Sequence, residues 1–226
     1  MDISRSSQYI IRDAQQQDTL KNISPRYEAI AEQYRIIRNW RPRSDVWPLT
    51  TGRAILVSVA SLTGVYINYR FRAKLKLRDY GALPTMLGLA VTPAIATGLS
   101  HTEFILNKLL SLEISCPLCL ETRSALAQTC TGLFLPLIMA PVANFQIAAG
   151  SGVYNVPHIT DVRKTFGTIL SAYQPLFPKI AMIFVFQSLL AGFITYLEIR
   201  SFLRIIDIQY LMQEEKKQNL KQKDDF

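Results

Sequence analysis

The residues with most reactive potential are Cys116 and Cys119, separated only by Pro117 and Leu118. Two thiols three positions apart can close a disulfide, share a metal ion, or attack a substrate disulfide. A structural zinc site needs about four ligands. Beyond this pair the chain offers only Cys130, His101 and His158, and these form no second paired array. No metal or cofactor is therefore expected. A membrane dithiol oxidoreductase that passes electrons from Cys116 and Cys119 to a quinone is the sharper alternative. It needs a second shuttle pair, and Cys130 has no partner thiol. A stabilising disulfide or two packed thiols fits the residues better, and replacing both cysteines by Ser is expected to lower stability.

The elements that must position this pair are set by charge. Residues 54–69, 80–102, 124–160 and 180–197 contain no Asp, Glu, Lys or Arg. Each is close to or longer than the roughly 20 apolar residues that cross a hydrocarbon core. The pattern predicts an all-α, polytopic membrane protein with four transmembrane helices at about 47–69, 80–102, 124–146 and 178–197. Residues 46–197 form this membrane domain, between an amphipathic N-terminal tail at 1–45 and a helical extension with a disordered tail at 198–226. A mean hydropathy of only +0.14 conceals the spans, because it averages them with polar ends. The formal net charge of +8 comes from Lys and Arg in tails and short loops. Anionic lipid headgroups attract such residues, and the distribution argues against nucleic acid.

Four prolines fall inside spans, Pro84 and Pro93 in the second, Pro136 and Pro141 in the third. Each removes a backbone donor, so kinked or partly broken helices are expected. The run 124–160 is too long for one straight span, and its second half, from Asn144 to Thr160 with Gly150 and Gly152, should leave the membrane core as an interfacial loop. Ala60, Gly64 and Asn68 recur every fourth residue in the first span, as do Ala90, Ala94 and Gly98 in the second. Such small ridges let helices approach closely. Gln187 in the fourth span and Asn144 suit interhelical hydrogen bonds. No ionisable residue is central in a span, which argues against a channel or transporter. His101 and His158 are expected near the interfaces, solvated or bonded to backbone.

The ends are amphipathic. Ser24-Pro25 opens a helix carrying Tyr27, Ile30, Tyr34 and Ile37 on one face, ended by Trp40-Arg41-Pro42, and expected on headgroups or a partner. Trp40 and Trp47 suit interfacial depth. Arg53 lies close enough to the first span's end to reach the headgroups. Ile199, Phe202, Leu203, Ile206 and Tyr210 continue a helical stripe past the fourth span. The first residues lack an apolar secretory core, and Asp2, Asp13 and Asp18 dilute any presequence character, so targeting by internal segments is expected. Counted over loops, the positive-inside rule favours the termini inside. The crowding of Arg70, Arg72, Lys74, Lys76 and Arg78 beside two spans opposes it, so orientation stays open.

From Asn68 to Tyr196 the chain resembles the transmembrane protein 126 family of the mitochondrial inner membrane. The resemblance is densest at Cys116-x-x-Cys119-x-x-x-Arg123-Ser124-x-Leu126, at the Gly132 and Pro136 spacing, and at Pro141-Val142 followed by Asn144 and Ala148-Ala149. Asn68, Phe71 and Arg72 resemble the family's basic turn, and Pro157-His158, Pro175, Lys179 and Gln187 follow in order. Ala143 and Ala73 depart from the pattern. The cysteine pair leans to the 126A-like branch. The resemblance implies a non-enzymatic assembly factor for respiratory complex I (NADH:ubiquinone oxidoreductase), acting as a membrane chaperone or scaffold. Its implied partners are membrane-arm subunits, other complex I assembly factors and anionic inner-membrane lipid. On this reading Arg70, Arg72, Lys74, Lys76 and Arg78 contact lipid or a partner.

Overall fold

The computed structural model describes residues 27–77, 79–113, 116–151 and 162–224. The Ser24-Pro25 helix start, Arg78, Gly152, Pro157 and His158 lie outside these. Among the described residues there is no strand, and four helices are long and apolar enough to cross a membrane.

Helix α1 covers residues 27–39 and stops before Pro42, which cannot continue a helix. A short 3-10 turn, Arg43–Asp45, leads into α2, Trp47–Leu75, which has Pro48 in its first turn, where the missing N–H costs nothing. Lys76 ends α2 in the left-handed region at φ 55°, its N–H returning to the carbonyls of Ala73 and Arg72. Helix α3 runs Ala82–Leu110, through a π-helical stretch at Thr102–Leu106. Helix α4 begins at Pro117 and runs through a second π-helical stretch, Cys130–Phe134, to Ser151. A short amphipathic α5, Val162–Tyr173, and a 3-10 turn precede α6, Phe177–Asp224.

Two boundaries differ from the sequence reading. The helix of the third span starts at Pro117 and continues unbroken through Asn144 to Ser151, with no interfacial loop over 144–151. Glu121 and Arg123 occupy its first two turns. At the other end, α6 runs on to Asp224, where an unstructured tail is expected from Lys217. Gln, Glu, Lys and Leu are strong helix formers, and they sustain a helix without an apolar stripe.

Four buried clusters hold the bundle together. The largest lies at the end of the bundle covered by α1, where Ile30 and Ile37 of α1 cluster with Ile105 and Leu109 of α3 and with Phe202 and Ile205 of α6. Helix α1 is thus docked on its own chain. Ser201 Oγ donates to the Asp45 carbonyl, and Arg204 lies 3.5 Å from the Asp45 carboxylate, tying the turn after α1 to α6. Inside the spans, Ile67, Leu89, Leu133 and Ala140 form a second cluster. Phe71, Phe145 and Ala172 form another, with the Phe71 and Phe145 rings edge to face at 5.8 Å.

The small-residue ridge is only half as read. Ala60, Gly64 and Asn68 are buried, and a Cβ on Gly64 would lie 2.0 Å from the Leu89 carbonyl oxygen. On α3 the buried stripe is Thr85, Leu89, Pro93, Thr97 and His101. Ala90, Ala94 and Gly98 sit one position along, half-buried, and a Cβ on Gly98 would make only an ordinary 3.5 Å contact with Val57. The spacing of four is right, but the phase is shifted because the partner of Gly64 is a backbone carbonyl rather than another small side chain.

Candidate functional site

Three polar layers cross the apolar interior. At the end of the bundle nearest α1, His101 and Glu198 are both buried, with Nε2 of His101 at 3.0 and 3.1 Å from the two carboxylate oxygens. Helix α2 approaches here through Gly52, since a Cβ would stand 2.9 Å from Glu198 Oε1. This corrects the expectation of a solvated or backbone-bonded His101. The imidazole finds a carboxylate ninety-seven positions along the chain, and nothing local in the sequence marks that pairing.

The middle layer centres on Gln187 of α6. Its Nε2 donates to Thr63 Oγ1 at 2.8 Å and to the Gly132 carbonyl at 3.3 Å, while its Oε1 accepts from Gln128 Nε2 at 3.4 Å. Gln128 also reaches the Leu56 carbonyl. Gly132 makes room for both amides, since a Cβ there would lie 2.5 Å from Gln187 Oε1. A threonine pair, Thr97 and Thr131, links α3 to α4 at 2.8 Å.

The third layer is built around Arg72. Its Nη2 donates to the Tyr80 carbonyl at 2.8 Å, and its Nη1 to Thr85 Oγ1 at 3.0 Å, Gly81 O at 3.3 Å and Asn144 Oδ1 at 3.3 Å. Asn144 Nδ2 donates in turn to Asn68 Oδ1 at 2.7 Å. Arg72 therefore does not face headgroups, as a member of a basic turn is expected to. At 4% exposure it staples the α2–α3 turn to α4. Arg70, Lys74 and Lys76 remain exposed beside it. Asn68, Arg72 and Asn144, singled out separately in the sequence, are brought into one network.

These layers share a logic with the prolines. An α-helical carbonyl normally accepts the N–H four residues on, which proline lacks. The carbonyl four residues before Pro141 is that of Leu137, and it accepts from Tyr173 Oη at 2.8 Å. For Pro136 it is Gly132, met by Gln187, and the π turn here lets the Leu135 N–H return to Cys130 O. For Pro93 it is Leu89, against which Gly64 packs. For Pro84, at the start of α3, it is Tyr80, taken by Arg72. In lipid no water can serve such groups, and for Leu137, Gly132 and Tyr80 a side chain from another helix supplies the donor.

Cys116 and Cys119 lie apart from the layers, at the start of α4, as free thiols. Cys116 is the N-cap of the helix, its Sγ accepting the Cys119 N–H at 3.4 Å. The Cys119 thiol, and then this N–H, hold the Cys116 thiol below its usual range. Cys119 is exposed and Cys116 half-buried, so the two thiols are not packed in the interior. Cys130 faces outward from α4. Among the described residues no three His, Cys, Asp or Glu side chains are grouped to hold a metal.

Sequence reasoning missed Gln128, Thr63 and Glu198. For Gln128 a signal existed, a primary amide inside a charge-free run. A family profile described as Transmembrane protein 126 matches residues 28–214. Transmembrane protein 126 of Drosophila melanogaster is 35% identical over 205 residues, covering 88% of this chain and 91% of its own length. Transmembrane protein 126A of Mus musculus is 26% identical and that of Rattus norvegicus 25%, each over 153 residues, covering 68% of this chain and 76% of theirs. No solved structure matches significantly. With its four spans and a profile match over most of its length, the chain belongs to the transmembrane protein 126 family.

Proposed function

We propose that this protein is a non-enzymatic assembly factor of the mitochondrial inner membrane, which binds and stabilises membrane-arm intermediates of respiratory complex I. The observation that carries the reading is the division between interior and surface. Inside, three layers of hydrogen-bonded polar side chains, centred on His101 with Glu198, on Gln187, and on Arg72 with Asn144, tie the four spans together as one body. Outside, whole faces are apolar, as along α3 with Leu83, Leu87, Val91, Ile95 and Leu99. An unassembled membrane subunit exposes helix faces that a neighbour will later cover, and a rigid apolar face in lipid can cover them meanwhile. Kinship with transmembrane protein 126A supports the reading further. The exposed end of α6, beyond Tyr210, suits contact with peripheral partners.

Native-gel complexome profiling of mitochondria in mild detergent tests this, in normal and depleted cells. Co-migration with incomplete complex I, and stalled assembly on depletion, is the expected result. Migration alone, with complex I assembling normally, would sink the reading.

The free, accessible Cys116 and Cys119 favour one alternative, a dithiol oxidoreductase. There the two thiols would close a disulfide and deliver two electrons and two protons to a quinone, giving the hydroquinone. A cycle of thiol trapping that follows the quinone pool would support it. Complexome behaviour unchanged in a Cys116→Ser, Cys119→Ser variant would favour the assembly role.

A further inference from the structure

At the opposite end of α2 from the basic turn, a cavity of about 670 Å³ opens between α1 and the bundle. Four arginines line it, Arg35 and Arg38 from α1, Arg43 from the following turn, and Arg53 from α2, with no Asp or Glu among its described lining residues. Its floor is apolar, formed by Leu49, Leu106 and Leu110, all buried. We propose that this cavity binds an anionic phospholipid, its phosphate held by the arginines and an acyl chain lying on the leucine floor.

The electrostatics ask for an anion. Arg35 is neutralised by Glu32 at 2.9 Å, but no carboxylate of the described residues lies within ion-pair distance of Arg38, Arg43 or Arg53. Arg53 donates to Thr102 Oγ1 at 3.0 Å, a neutral partner. Several like charges facing one concavity repel one another and focus a positive potential into it. All four are Arg rather than Lys, and the guanidinium fork matches phosphate oxygens two at a time.

Position and floor choose lipid over a soluble anion. Arg53 lies six residues into α2, about 9 Å along its axis, while Arg35 and Arg38 stand on α1 outside the span. Trp47, 42% exposed at the start of α2, marks headgroup depth beside the cavity. The site thus runs from the polar surface down to the edge of the hydrocarbon, the dimension of a phosphate and its glycerol. A soluble phosphate would gain nothing from the leucine floor.

The test uses the full chain in nanodiscs of phosphatidylcholine with added phosphatidylglycerol or diphosphatidylglycerol. Native mass spectrometry reads the lipid retained. Wild type should hold one anionic lipid in preference to phosphatidylcholine, and an Arg38→Gln, Arg43→Gln variant should hold it at least about tenfold less well. Both side chains are exposed and have no carboxylate partner among the described residues, so helix content should not change. An Arg70→Gln, Lys74→Gln variant, altered at the other end of α2, should retain the lipid. A variant-free readout stands beside these: anionic lipid, and not phosphatidylcholine, should raise the melting temperature of wild type. Unchanged retention in the Arg38→Gln, Arg43→Gln variant would overturn the proposal. So would inorganic phosphate stabilising the protein equally without lipid, or a polyglutamate peptide displacing the lipid from wild type, which would assign the cavity to an acidic protein segment.

Discussion

The hydrogen bond from Tyr173 to the Leu137 carbonyl should matter only because residue 141 is proline. Tyr173→Phe removes the hydroxyl and keeps the ring, which packs against Phe71 with centroids 5.5 Å apart. The Leu137 carbonyl then loses its 2.8 Å donor, and Pro141 cannot supply another. Leaving a buried acceptor unsatisfied costs about 1–3 kcal/mol, and interhelical bonds in membrane bundles average about 0.6 with a maximum near 1.7, so about 1.5 kcal/mol is expected here. In a Pro141→Ala background the new backbone N–H can return to Leu137 within α4, and the same Tyr173→Phe change should cost at most about 0.5 kcal/mol. The coupling, about 1 kcal/mol, is what a double-mutant cycle measures.

Reversible unfolding in mixed micelles of rising dodecyl sulfate content, followed by helix circular dichroism, gives the four stabilities. An equal cost of Tyr173→Phe in both backgrounds would refute the reasoning, because the carbonyl would then have been satisfied without Tyr173. A larger cost in the Pro141→Ala background would refute it more strongly.

Other substitutions probe the rest of the interior. Gly64→Ala puts a methyl 2.0 Å from a backbone oxygen and 3.1 Å from Pro93, and should cost about 3 kcal/mol in the same assay. Gly88→Ala, with nothing within 4 Å, should be neutral or stabilise by up to about 1 kcal/mol through helix propensity. Glu198→Ala strips the buried His101 ring of its hydrogen-bond partner and should cost about 2–3 kcal/mol, and Glu198→Gln, which keeps an acceptor, less than half of that. At the α4 start, Cys116→Ser preserves an N-cap acceptor and should leave stability unchanged. Alkylation of Cys116 should become fast at lower pH than for an ordinary cysteine, because the Cys119 thiol and N–H stabilise its thiolate. Cys119→Ala should move that midpoint upward, and an unmoved midpoint would count against the hydrogen bond.

The span count was legible because charge is costly in lipid, and four charge-free runs leave little freedom. What the sequence hid is pairing across distance. His101 reads as an interfacial residue until Glu198 is placed beside it by the packing of α3 on α6. Arg72 reads as one of five basic side chains in a turn, and its burial depends on acceptors at residues 80, 81, 85 and 144, two of them backbone carbonyls. Backbone acceptors carry no sequence signature. The loop expected after Asn144 came from treating that residue as an exit from the membrane, whereas its amide is used inside, on Asn68 and on the Ala140 carbonyl. The residues that carry the family resemblance include several of these interior groups, among them Asn68, Arg72, Pro136, Pro141, Asn144 and Gln187.

Those prolines are where local sequence and long-range order meet. Lipid tails are as apolar as leucine, so burial alone cannot decide which helix sits beside which. A proline changes this by freeing a carbonyl at a fixed height on a fixed face, and only a neighbour in one register can serve it. Leu89 fixes α3 against Gly64 of α2, Gly132 fixes α4 against Gln187 of α6, and Leu137 fixes α4 against Tyr173 at the end of α5. What reads as a set of helix-breaking defects therefore specifies the bundle. A bundle specified from within leaves its outer faces free of that task, so leucines such as Leu87 and Leu99 on α3 can vary to fit a partner without disturbing the core.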